Sequence, residues 1–178
     1  MAALYITGID NALIEINASE VPIMDGSSKE FVETILKAGV KKQKNKRKYI
    51  KILKKYEFQE GKRKISIEPN EMYLNVDFEL VYSNKVIGKQ RNQINFSDKD
   101  LTKVYTSRTF CLFEDIEKIK KIGLAKGGSL DNAIVVKNNE ILNSTGLRND
   151  KEFVNHKILD LAGDFLLSGH RILGNVTC

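Results

Sequence analysis

Cysteine and histidine are scarce in this chain, with two of each among 178 residues. Cys111 and Cys178 alone give no disulfide framework, which excludes the small stapled scaffolds and fits a reducing cytoplasm. His156 and His170 form no visible Ser-His-Asp or Cys-His grouping. No run of about 18 apolar residues occurs, so no spanning helix is expected. The opening MAALYITGID has no basic leader and is broken by Thr7, Gly8 and Asp10, so it does not read as a signal peptide. A P-loop is also missing. The glycine-rich AKGGSLDN, residues 125 to 132, lacks the Gly-Lys-Ser/Thr step and leads into a strand, so it reads as a flexible turn.

What is present suits a globular protein of one large or two small domains, with 42% hydrophobic residues. A chain of this length buries roughly 70% of its unfolded surface, enough for a sizeable core. The net charge is +6, and nine of the fifteen residues from 41 to 55 are Lys or Arg. Such a run can neutralise phosphates. Without an aromatic platform or groove-reading motif beside it, it reads instead as a solvated linker entering a strand.

Periodicity gives the class. ALIEINA, residues 12 to 18, alternates as a strand does. KEFVETILKAG reads as a helix capped by Ser27 or Ser28, striped by Phe31, Ile35 and Leu36, and stopped by Gly39. Residues 49 to 61 and 62 to 71 read as paired strands turning near Glu60-Gly61. Residues 72 to 83 form the clearest strand, and 85 to 96 another, with Gly88 as a bulge. Residues 97 to 108 read as a helix capped by Ser97, with Asp100 completing a loose capping box. TFCLF is a short apolar bridge, and EDIEKIKKIG a helix carrying Ile116, Ile119 and Ile122. A strand pair turns at Lys137-Asn138-Asn139. The strongest helix follows, opening with an Asn149-x-x-Glu152 box and closing at Gly169. RILGNVTC begins a final strand. The class is α+β, helices on mainly antiparallel sheets.

On the strongest helix, His156 and Asp160 stand four apart, on one face and one turn from each other, with Asp164 a turn further. An imidazole and a carboxylate so placed can share a zinc ion that takes a third ligand from elsewhere. The same spacing also produces ordinary hydrogen-bonded surface pairs. Thr109, between Arg108 and an apolar run, reads as a strand residue or as a hydroxyl at a site mouth. Cys111, between aromatics, reads as a buried thiol.

Four segments carry a stronger signal together: IDNALIEINASEVPIMDGSSKEF, SRTFCLFEDIEKIKKIGLAKGGSLDNAIVV, ILNSTGLRND and EFVNHKILDLAGDFLLSG. In this order they resemble the UDP-3-O-acyl-N-acetylglucosamine deacetylase family of lipid A biosynthesis in Gram-negative bacteria. EVPIMDGS and the pattern EFVxHKxLDxxGD are the most specific parts, and only about Val40 to Asn95 matches loosely. The resemblance implies two similar α/β-sandwich domains, the first incomplete here: residues 1–42 as the end of domain one, 43–48 as a basic linker and 49–178 as domain two. It implies Zn2+ held by His156, Asp160 and one more histidine. Asp164 matches a carboxylate that orients a catalytic histidine. Thr109 and Phe110 match substrate-site residues, and Lys157 a lysine near the polar head of the substrate. Asp25 matches a supporting aspartate. Residues 111 to about 136 match an insert forming the acyl tunnel, to which Leu112 and Ile116 contribute.

The implied reaction is hydrolysis of the N-acetyl group of UDP-3-O-(3-hydroxyacyl)-N-acetylglucosamine by a cytoplasmic monomer. No nucleic acid is expected, and passing contact with a membrane surface stays open. In the family register, the general-base glutamate and the first zinc histidine fall before Met1. The general-acid histidine falls beyond Cys178, and His170 does not take its place. The chain therefore reads as truncated at both ends. A catalytically dead fragment and a basic binding module are the alternatives, and zinc binding by the chain alone is expected to be weak.

Overall fold

A computed structural model describes residues 1–121, 123 and 127–178. Ile122 of the expected apolar stripe, and Ala125 and Lys126 of the glycine-rich loop, lie outside the described residues. The side chain of Ile119 is likewise not described. The helices are α1 (Ala2–Thr7), α2 (Lys29–Ala38), α3 (Thr102–Tyr105), α4 (Phe113–Lys121) and α5 (Glu152–Leu166). The strands are β1 (Tyr49–Lys51), β2 (Tyr56–Glu60), β3 (Arg63–Pro69), β4 (Leu74–Val81), β5 (Lys89–Asn95), β6 (Phe110–Leu112), β7 (Ile134–Lys137), β8 (Glu140–Ile141) and β9 (Arg171–Thr177).

The main sheet is ordered β2-β3-β9-β4-β5, with β1 also joined to β9. The last strand is thus central. It runs parallel to β4 and β1 and antiparallel to β3. The α+β class holds, and antiparallel pairings outnumber parallel ones by four to three in sheets that mix both. A second sheet, β6-β7-β8, pairs β6 parallel to β7.

On β4 the pattern of period two separates two faces. Leu74, Val76 and Leu80 are buried, while Asn75, Asp77 and Glu79 face the other way. The polar face is knitted by Arg91 and Gln93 on Asp77 and by Asn75 on Asn175. The apolar face receives α5, whose Phe153, Val154, Ile158, Leu159 and Ala162 are buried. Ile134 and Val136 of β7, Val176 of β9 and Tyr5 of α1 complete this core. The helix α1 packs on α5 closely: a Cβ on Gly163 would come 3.0 Å from the amide nitrogen of Ala2. Arg171 fixes the other end of α1, where its Nη2 donates to the carbonyls of Leu4 and Tyr5. No helix among the described residues is long and apolar enough to cross a membrane.

Several local expectations change. Residues 12 to 18 form no strand; Leu13, Ile14 and Ile16 are exposed. An alternating pattern becomes a strand only when a neighbour takes up its ladder, and none of the described residues does so. The helix expected over 97 to 108 shrinks to α3, because side-chain bonds hold its first residues in turns. Ser97 donates to Asn95 Oδ1 (2.7 Å), and Asp100 Oδ1 accepts from the amide of Thr102 (2.9 Å), so Ser97 is not the cap. Gly88 is no bulge; at φ +57 it ends the turn before β5 and donates to Asn84 O. In α2 the buried residue is Val32, while Leu36 of the expected stripe is 60% exposed. β1 joins β9, and β2 and β3 form the hairpin by themselves.

Candidate active site

The segment from Thr106 to Phe110 is bonded to the start of α5 through Ser107 and Arg108. His156 is buried on that face of α5, and its Nδ1 lies 3.0 Å from the carbonyl oxygen of Ser107. A carbonyl can only accept, so this bond places the ring hydrogen on Nδ1 and leaves a lone pair on Nε2. Burial favours the neutral ring and lowers its pKa, and the nearby Asp160 carboxylate only partly opposes this. Nε2 stands 3.4 Å from Asp160 Oδ1. Two acceptors facing each other at this distance call for a proton or a cation between them. Ligand atoms about 2.1 Å from a tetrahedral zinc lie roughly 3.4 Å apart, so the pair fits two corners of such a site. The carbonyl behind Nδ1 is the kind of outer partner that orients a metal-bound imidazole. Among the described residues, however, no group of three His, Cys, Asp or Glu side chains could hold a metal.

Other expected residues divide. Lys157 lies beside the pair, its Nζ 3.0 Å from Asp160 Oδ2 and 5.5 Å above the Phe110 ring centre. Phe110 meets Phe153 edge-on at 5.0 Å and Tyr82 at 5.7 Å. Thr109 is half-buried at the entry to β6, its amide donating to Gly26 O at 2.8 Å and its carbonyl accepting from Ile134. Leu112 and Ile116 are half-buried, and Leu112 packs against the core. Cys111 is half-buried, and burial pushes its thiol pKa up, which fits an inert thiol. Asp164 is exposed, with no side-chain hydrogen bond among the described residues.

Asp25 sits in the DGSS turn. Its Oδ1 accepts from the Ser27 amide (3.0 Å) and hydroxyl (2.7 Å), and Oδ2 pairs with Arg148 at 2.8 Å. Burial alone would raise this carboxyl, but the Ser27 and Arg148 bonds outweigh it and hold its pKa below the ordinary value. The turn presses close to the rest of the chain. Gly26 has φ +80, and a Cβ there would meet the Asn132 carbonyl at 1.9 Å.

Sequence reasoning missed Arg108 and Glu152, whose side chains are 4% and 0% exposed. Glu152 does not close a capping box. Oε1 accepts from the backbone N (3.0 Å) and Nε (2.9 Å) of Arg108, and Oε2 from Arg108 Nη2 (3.2 Å) and the Arg148 amide (2.6 Å). One signal existed: helical spacing puts Glu152 on the face of His156, beside residues expected in the core. Asn155, also buried, accepts from Asn92 at 2.7 Å and ties α5 to β5.

An open concavity runs along residues 38–48 with His170 and Arg171, and neither His156 nor Asp160 lines it. Among its lining groups, Arg47 and Arg171 both pair with Asp10. The basic run beside it is partly neutralised: Arg47 binds Asp10, Lys51 Glu71 and Lys55 Glu68.

A family model described as UDP-3-O-acyl N-acetylglycosamine deacetylase matches residues 1–178. Curated proteins named UDP-3-O-acyl-N-acetylglucosamine deacetylase are similar throughout. That of Geobacter sp. (strain M21) is 43% identical over 177 residues, covering 99% of this chain and 58% of the relative. That of Nautilia profundicola is 43% identical over 176 residues, covering 98% and 60%. That of Haemophilus ducreyi is 40% identical over 179 residues, covering 99% and 58%. The chain thus spans about three fifths of the length of these relatives. It belongs to the UDP-3-O-acyl N-acetylglycosamine deacetylase family.

Proposed function

We propose that this chain carries part of the active site of a zinc-dependent hydrolase that removes the N-acetyl group of UDP-3-O-(3-hydroxyacyl)-N-acetylglucosamine in lipid A biosynthesis. The observation that carries the reading is the His156–Asp160 pair, two acceptors 3.4 Å apart on α5, within a chain of this family. His156 Nε2 and Asp160 are the two zinc ligands that the chain supplies. The ion, when bound, polarises the acetyl carbonyl and a water molecule. Lys157 shares Asp160 and stands ready to bind a polar group of the substrate. Thr109 and Phe110 border the reacting group at the start of β6. Leu112 and Ile116 begin the passage for the acyl chain. Asp25 supports the turn that packs on Thr109, and Asp164 orients a catalytic group from its exposed position a turn beyond Asp160. The two unbridged cysteines support a cytoplasmic setting.

The reaction also requires a third ligand, a base for the water and an acid for the departing amine. Among the described residues no third His, Cys, Asp or Glu side chain stands close enough to complete a metal site with the pair. The test is acetate release from the acylated sugar nucleotide by this chain joined in register to the unmatched segments of the Geobacter relative. We expect release that depends on zinc and falls at least about 100-fold in His156→Ala, since even outer partners of a ligand cost 10–100-fold. A folded, zinc-loaded protein that releases no acetate would overturn the reading.

A further inference from the structure

The peptide unit between Ser107 and Arg108 is held at both ends by α5. Its carbonyl, on Ser107, takes the His156 Nδ1 hydrogen at 3.0 Å. Its N–H, on Arg108, donates to Glu152 Oε1 at 3.0 Å. A trans peptide is planar, with C=O and N–H pointing in opposite directions. Glu152 and His156 stand one helical turn apart on the same face. The plane therefore bridges that turn, and tilting it away from Glu152 also turns its carbonyl away from the imidazole.

From this arrangement we propose that the buried Arg108–Glu152 pair is a positioning device that sets the tautomer and aim of the His156 ring. Both Glu152 oxygens are saturated by two donors each, and Arg108 Nη2 is further tied to Gly146 O at 2.7 Å. The pair has no slack, and it passes this rigidity to the peptide. A buried ion pair is a poor source of net stability compared with apolar residues of similar size. Its specific effect here is on geometry: with Nδ1–H committed to Ser107, the Nε2 lone pair is kept toward Asp160. The proposal deepens the reading of His156 as a metal ligand, but the state of the ring is measurable without any metal.

The chain has only two histidines, so nitrogen-15 labelling of histidine gives two resolvable rings, with exposed His170 as the internal control. At a pH where both rings are neutral, we expect His156 in the native chain almost wholly as the Nδ1–H form. In Arg108→Met/Glu152→Leu, which keeps the site packed, the His156 signals should move to the mixed-tautomer pattern of His170. Glu152→Gln, which keeps an acceptor for the Arg108 amide, should largely restore the native signals. Glu152→Asp, one methylene too short, should not. A purely structural role would shift the denaturation midpoint in one or more of these variants and leave the tautomer alone in all of them. A folded double variant with unchanged His156 signals would overturn the proposal. If the double variant does not fold, Glu152→Asp decides alone, and unchanged signals there are equally fatal. Failure of zinc binding with the native tautomer intact would refute the metal reading and spare this one.

Discussion

At the scale of single residues, the site depends on polar groups whose partners come from distant parts of the chain. Asp25 is the clearest case for a pH effect. Its carboxylate is satisfied by Ser27 and Arg148, and its folded pKa is depressed. The sign follows from proton linkage: the unfolded chain binds the proton more readily, so the contribution is full above the unfolded pKa of about 3.9 and is lost as pH falls through the folded value. Comparing urea midpoints, we expect Asp25→Asn to cost about 1 kcal/mol at pH 7. The gap to the native chain should stay constant down to about pH 4 and close below it. A gap that widens on acidification would contradict this account of Asp25. His156 and Asp160 were legible as a candidate pair because helical spacing is a local property. The Ser107 carbonyl that fixes the ring was not, since sequence does not say which backbone group a distant loop brings to a histidine.

The same boundary appears among elements. β4 and α5 stand out in the sequence, the strand by its period of two and the helix by its long apolar-rich run closed by a glycine just past its end. That RILGNVTC begins a strand was readable as well. Its central place, beside β1, β3 and β4 at once, was not, because partners a hundred or more residues away leave no local mark. Residues 12 to 18 show the opposite failure, a strand pattern without a strand. Hydrogen exchange measures this directly. Among the described residues, the amides of 12 to 21 have no hydrogen-bond partner, and these residues are exposed. They should exchange near the intrinsic rate, whereas the amides of β9 and of the buried turns of α5 should be the most protected. Strong protection over 12 to 21 would mean that this segment has found a strand partner, such as another copy of the chain.

Across the whole molecule, a half-solvated mixed sheet carries α5 on its apolar face, and α5 in turn presents His156 and Asp160 beside the β6 entry. Family membership covers the entire chain, while the chain covers about three fifths of its relatives. His156 and Asp160 face each other across 3.4 Å, and among the described residues no third His, Cys, Asp or Glu joins them. The most direct test of the central claim, that these two donors are a metal pair, is a cobalt(II) titration of the chain followed by visible absorption near neutral pH. The account requires a weak but saturable signal that disappears in His156→Ala and in Asp160→Ala and persists in His170→Ala. No saturable signal at millimolar cobalt, or one that survives His156→Ala, would contradict it.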